Sequence, residues 1–340
     1  MKVDYHIHLE EGPYSSNWLK RTFDAIKNIR DSQYKAHTRE WMVEASELLG
    51  KRIESGPYTM EWLDLYLMQA KRLGLREVGI VDHLYRFKEY KSYYEKHIYI
   101  ENDHLGTIQK KWLDQVSVES IDPFIQLIEN AKQKWKNEGI ELRLGMEADY
   151  FLNGEEELTN ILHEKQYDYI IGSVHFIYGW GFDNPETQHL FMQYDLLELY
   201  RDFFHIVENA VSSRIFDYIA HLDNLKVFGN RPDEEKLIPY YHQIAKKLLD
   251  TNTATEVNAG LYYRYPVKEM CPSPAFLKVL ADHHVCMTIS SDAHFPDDLG
   301  NYALEQLGML QSLGVKQITT FKQRKKIKQK IEIGDILNTY

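Results

Sequence analysis

The stretch DYHIH places His6 and His8 on one face of a strand candidate, because successive strand residues point to opposite sides. Four further histidines also fall at the ends of β-rich runs: His83 after GIVD, His175 after IIGSV, His221 after DYIA and His294 after TISSDA. Glu147 in RLGME and Asp292 in SSDAH share that placement. Imidazole and carboxylate together suit zinc, manganese or iron. One catalytic zinc takes about three protein ligands, so eight groups aimed at one mouth imply a bridged cluster of two or three divalent ions. Such a cluster lowers the pKa of a bridging water and neutralises charge on a phosphoryl group in transfer, which points to multinuclear hydrolysis.

Taken singly, each group has an ordinary explanation. Histidine is often partly buried, and Glu147 or Asp292 could cap a helix. The shared position at strand ends is what argues for metal. The other nine histidines, His37, His97, His104, His163, His189, His205, His242, His283 and His284, sit in helical or loop patterns and are read as structural or solvated.

Positioning such a cluster requires strands whose ends converge. The candidates are VDYHIH (3–8), REVGIVD (76–82), IELRLGME (140–147), YDYIIGSVH (167–175), FDYIAH (216–221), TATEVN (253–258), VCMTISSD (285–292) and VKQITTF (315–321). Several are continuous apolar runs, as in strands buried on both faces of a parallel sheet. Helical patterns lie between them at 59–74, 122–139, 234–250 and 273–284. This alternation argues for a barrel or doubly wound sheet in one domain over residues 1–340. In a barrel the C-terminal strand ends form the mouth. GPYSSNWL (12–19) is echoed by GPYTMEWL (56–63), and the material at 16–52 reads as a helical insertion. A tyrosine-rich, irregular stretch at 86–117 is long enough for a lid or rim.

Two arginines follow mouth-directed strands: Arg231 after AHLDNLKVFGN and Arg264 after EVNAGLYY. A guanidinium grips phosphate through paired N–H donors, so both are candidate substrate contacts. A local clamp of this kind is needed for an anionic substrate, because the chain carries a net charge of -11. That charge gives no footprint for nucleic acid. The basic run KQRKKIKQK (322–330) is read as a solvated helix face. Cys271 and Cys286 are the only cysteines, so neither a disulfide framework nor a thiolate zinc site is expected. No window reaches the roughly 18 to 20 apolar residues of a membrane span, and a cytoplasmic location is the expectation. There is no GxxxxGK[ST] loop and no GxSxG elbow, and GWGFDN (179–184) lacks a third glycine for a dinucleotide fingerprint.

The segments DYHIH, GIVDH, GMEADYF, DYIIGSVHFIYGWGFD, IAHLDNLKVFGNRP, EVNAGLYYRYPVKEMCPSP and TISSDAHFPDDLG run from residue 4 to 300 and resemble, in order, the PHP (polymerase and histidinol phosphatase) family. GSVHFIYGWGFD and NAGLYYRYPVKEMCPSP are most similar to its histidinol-phosphate phosphatase branch. The resemblance implies an α/β fold, a distorted TIM-like (β/α)7 barrel, with VKQITTF demoted to an edge or terminal strand. It also implies two or three divalent ions (zinc, manganese or iron) and hydrolysis of a small phosphomonoester such as L-histidinol phosphate, in histidine biosynthesis. Carried over by motif, His6, His8, His83, Glu147, His175, His221, Asp292 and His294 are the ligands, and Arg231 and Arg264 match phosphate contacts. Attack by a metal-bridging hydroxide is the implied step, with Asp292 in the catalytic set and His175 or His221 as candidate acid. Family members commonly carry another histidine where this chain has Tyr14. Either one metal is lost, or Glu10 or Glu11 substitutes, with Glu11 preferred. The rival readings are a protein-tyrosine phosphatase or nuclease-like phosphoesterase on the same barrel, and a non-catalytic binding protein that kept it.

Overall fold

The computed structural model describes residues 2–10 and 12–331. Strands β1 (Val3–His8), β2 (Glu77–Val81), β3 (Glu141–Asp149), β4 (Tyr169–Ser173), the ribbon pair β5 (Phe176–Ile177) and β6 (Trp180–Gly181), then β7 (Tyr218–Ile219), β8 (Ala254–Asn258) and β9 (Met287–Ser290) follow one another along the chain. Seven of them form one sheet in the order β1-β2-β3-β4-β7-β8-β9, with all its pairings parallel. The His8 amide donates to the Ala293 carbonyl at 2.7 Å and Ile7 bridges Ala293, so β1 meets the far edge and the sheet nearly closes into a barrel surrounded by helices. The strands are buried almost throughout, which explains why their sequences read as continuous apolar runs.

The floor of the barrel is filled by tyrosine. The Tyr169 and Tyr218 hydroxyls each donate to the Tyr5 carbonyl at 2.9 Å, and the Tyr5 hydroxyl donates to Glu77 at 2.6 Å. A Cβ at Gly79 or Gly145 would collide with the Tyr169 ring, so glycine on these strands makes room for it. VKQITTF lies outside the barrel sheet, as the family resemblance required: β10 (Gln317–Lys322) pairs with β11 (Lys325–Lys330). Phe321 stacks on Tyr169 and Tyr218 and closes the floor. The basic run is therefore the hairpin turn and β11, not a helix face; Gln323 and Arg324 make the turn at positive φ. Helical spacing of lysines carries no fold information when no apolar stripe accompanies it.

Residues 16–52 fold as two helices, α1 (Ser16–Ile29) and α2 (Arg39–Ser55), followed by α3 (Met60–Leu73). Each starts at a hydroxyl cap, Ser15, Thr38 and Thr59, and α3 ends at Gly74 with φ 65°. The echoed GPY segments thus precede two capped helices whose tryptophans, Trp18 and Trp62, sandwich the Arg52 guanidinium. The 86–117 stretch is more regular than its composition suggests. Helices Lys91–His97 and His104–Val116 occupy most of it.

Candidate metal centre

Each of the eight expected ligands sits within a few residues of a strand's C-terminal end, and the fold gathers them around Glu147 and Asp292. The Glu147 Oε2 lies 3.1 Å from His6 Nε2, 3.2 Å from His8 Nε2 and 2.9 Å from His83 Nδ1. Its Oε1 lies 3.4 Å from His221 Nε2 and 3.8 Å from His175 Nε2. Asp292 Oδ1 closes the other side, 3.8 Å from His6, 3.7 Å from His8 and 3.8 Å from His294. Three groups have donor atoms within 4.8 Å of one another: His8, His83 and His294; His6, His8 and Asp292; His83, Glu147 and His175.

Three carboxylates absent from the expected set stand behind the imidazoles. Glu256 lies 3.2 Å from His6 Nδ1, Asp149 lies 2.8 Å from His175 Nδ1 and Asp82 lies 3.6 Å from His8 Nδ1. Glu256 and Asp149 are within hydrogen-bond reach of the outward nitrogens of His6 and His175, which favours the tautomers that turn an unprotonated Nε2 toward the centre, while Asp82 stands farther from His8. These carboxylates are themselves anchored: Tyr58 donates to Asp82 at 2.8 Å, Tyr94 to Asp149 at 3.0 Å, and Ser290 to Glu256 at 2.8 Å. The sequence signal was there. Asp149 lies two residues beyond Glu147 on one strand, as His8 lies two beyond His6, so each pair shares a face.

The buried carboxylates and imidazoles of the centre shift one another strongly. Burial opposes ionisation of Glu147, but the imidazoles of His83 and His6 overcome it and hold the carboxyl well below the usual range. Burial, joined by the Arg264 guanidinium, pushes His294 well below its ordinary value and keeps it neutral. His175 is lowered by burial and raised by Asp149, with a net rise to about 10. Both ring nitrogens of His8, Nδ1 of His83 and Nδ1 of His221 are buried without a hydrogen-bond partner among the described residues. Unpaired buried nitrogens are costly, and bare imidazole nitrogens beside carboxylates are the donor set that divalent zinc, manganese or iron requires. His221 at φ 28° and Asp292 at φ 55° hold strained backbone here, a cost of order 1–3 kcal/mol each. Gly260 accommodates Asp292, whose carboxylate a Cβ would strike.

The centre opens into a cavity of about 300 Å³. Arg264 lines it and reaches the metal side, with Nη1 2.7 Å from His294 Nδ1 and 3.2 Å from the Asp292 carbonyl. Arg231 is placed differently from the expectation. It is not among the lining residues, and its Nη1 donates to Glu269 at 2.8 Å. Tyr14 is 51% exposed and turned toward Glu10 and Glu119. Glu10 lines the cavity but accepts from Trp18 Nε1 and from Arg52, each at 2.7 Å, and so bolts the α1–α2 insertion to the barrel. Glu11 lies outside the described residues.

The PHP domain model matches residues 60–260. The chain belongs to the PHP domain family. His6, His8, Asp292 and His294 fall outside the matched stretch, yet the barrel brings them onto the PHP residues His83, Glu147, His175 and His221. A probable histidinol-phosphatase of Deinococcus radiodurans is 33% identical over 221 residues, 63% of this chain and 82% of that protein. One from Clostridium acetobutylicum is 22% identical over 186 residues, 53% of this chain and 69% of that protein. Among solved structures, histidinol phosphate phosphatase of Lactococcus lactis, crystallised with zinc, L-histidinol and phosphate, superimposes with TM-score 0.65 at 16% identity, covering 96% of this chain and 99% of that one. A putative histidinol phosphatase of Listeria monocytogenes gives TM-score 0.59 at 17% identity, covering 70% of this chain and 91% of that one. These two likenesses are of fold, and they place this PHP chain on the same barrel. No helix among the described residues is long and apolar enough to cross a membrane.

Proposed function

We propose that the chain is a divalent-metal-dependent phosphatase that hydrolyses L-histidinol phosphate to L-histidinol and phosphate. The observation that carries this reading is the convergence of eight imidazole and carboxylate groups around Glu147 and Asp292, six of them lining one small cavity that Arg264 also lines. The Deinococcus relative, which this chain matches over 82% of its length, supports the substrate. His6, His8, His83, Glu147, His175, His221, Asp292 and His294 would hold the ions. When bound, such ions activate water at neutral pH and neutralise charge gathering on phosphorus.

The chain's own groups do the rest. Asp149 and Glu256 would accept the Nδ1 protons of His175 and His6 and so turn Nε2 toward the ions. On this reading His175 serves in coordination rather than in protonating the leaving oxygen. Arg264 offers its guanidinium to the nonbridging phosphate oxygens. The test is phosphate release by protein loaded with zinc, manganese or iron. L-histidinol phosphate is expected to exceed a phosphotyrosine peptide and single-stranded DNA by about 100-fold in kcat/KM. Inactivity on histidinol phosphate with all three metals contradicts the assignment.

A further inference from the structure

Away from the metal ligands, the same cavity has a second wall with a different chemistry. Of its carboxylates, Glu147 and Asp292 belong to the centre, Glu10 is held by Arg52 and Trp18, and Glu186 lies exposed at the rim. Asp183 is the remaining one. It is partly buried, and among the described residues its carboxylate forms no side-chain hydrogen bond or ion pair. Burial pushes its pKa up, and the imidazoles of His175 and His221 and its own backbone amide act in the other direction. A carboxylate set into a concave wall with no side-chain hydrogen bond or ion pair of its own is a site for a cation brought from outside.

An aromatic shelf leads from the metal centre along the same cavity. His83 stacks on Tyr85 at 4.5 Å, Tyr85 meets Trp112 at 4.9 Å, and Trp112 meets Phe176 at 6.1 Å between ring centroids. Tyr85, Trp112 and Phe176 all line the cavity. The shelf and the carboxylate are held together by one buried side chain. Gln109 accepts from the Gly181 amide at 2.6 Å and donates to the Tyr99 and Gly179 carbonyls at 2.6 and 2.9 Å. Gln109 shares a helix with Trp112, and Gly181 is two residues before Asp183, so the wall is fixed before a substrate arrives.

We propose that Asp183 and the Tyr85–Trp112 shelf form the leaving-group subsite and select phosphomonoesters whose alcohol carries both an ammonium group and a planar ring. This rests on the phosphatase reading above. The ammonium pairs with the Asp183 carboxylate, the ring lies against Trp112 and Tyr85, and the phosphate faces the metal ligands and Arg264. An anionic or neutral leaving group leaves Asp183 without a partner and binds more weakly.

The experiment compares kcat and KM on L-histidinol phosphate, its deaminated analogue 3-(imidazol-4-yl)propyl phosphate, phosphoethanolamine and p-nitrophenyl phosphate. The wild-type protein should prefer the amine over its deaminated analogue by about 30-fold, mainly through KM. Asp183→Asn should collapse that preference and Asp183→Glu should restore part of it. Trp112→Leu supplies an independent reading, raising KM about tenfold for histidinol phosphate but little for phosphoethanolamine, which has no ring. A wild-type preference below about threefold, or a preference that survives in Asp183→Asn, overturns the subsite while p-nitrophenyl phosphate turnover keeps the phosphatase reading alive. No turnover of any of the four esters overturns both.

Discussion

At the floor of the barrel three tyrosines share their hydrogen bonds, whereas at the mouth five imidazoles crowd around the Glu147 carboxylate and a sixth, His294, stands by Asp292. Tyr169 and Tyr218 donate to the Tyr5 carbonyl, and the Tyr5 hydroxyl both donates to Glu77 and accepts from the Phe321 amide. The mouth instead leaves His8, His83 and His221 with unpaired buried nitrogens and holds His221 and Asp292 at positive φ. Both ends are built from strands of one sheet, so the sheet does not explain the difference. The floor is arranged to stabilise the fold, and the mouth keeps unsatisfied groups that a bound cation would satisfy.

That contrast can be broken at either end. The largest effect belongs to the mouth: His8→Ala or Asp292→Ala should lower kcat on histidinol phosphate on the order of 1000-fold with circular dichroism unchanged. Residual activity within tenfold of wild type would remove the residue from the catalytic set. At the floor, Tyr169→Ala should cost about 3–5 kcal/mol of unfolding free energy in a denaturant titration, by opening a cavity under the sheet. Metal content of the folded fraction should stay at the wild-type level, and its loss would mean that the two ends are not separable. The smallest effect separates the two arginines. Arg264→Ala should raise KM about tenfold with kcat little changed, whereas Arg231→Ala, whose side chain pairs with Glu269, should change KM less than about threefold.

Much of this was legible in the chain. VDYHIH matches β1 residue for residue, and the continuous apolar runs identify the parallel strands because burial on both faces leaves no alternation. The clustering of the eight groups was legible because their strand-end placement repeats. What was not legible depends on neighbours distant in sequence. Arg231 and Arg264 occupy similar loop positions after mouth-directed strands, and only the folded loops separate the one held by Glu269 from the one at His294. Asp183 stands in GWGFDN, where a search for a glycine fingerprint passes over the acid. KQRKKIKQK hid a strand because its pairing partner β10, not its own pattern, makes it one.

The central claim is that the mouth is a multinuclear metal centre pivoting on Glu147, and elemental analysis of purified, reconstituted protein tests it most directly. The account predicts two or three zinc, manganese or iron ions per chain, falling below about one in Glu147→Gln. Fewer than about one ion per wild-type chain would contradict it.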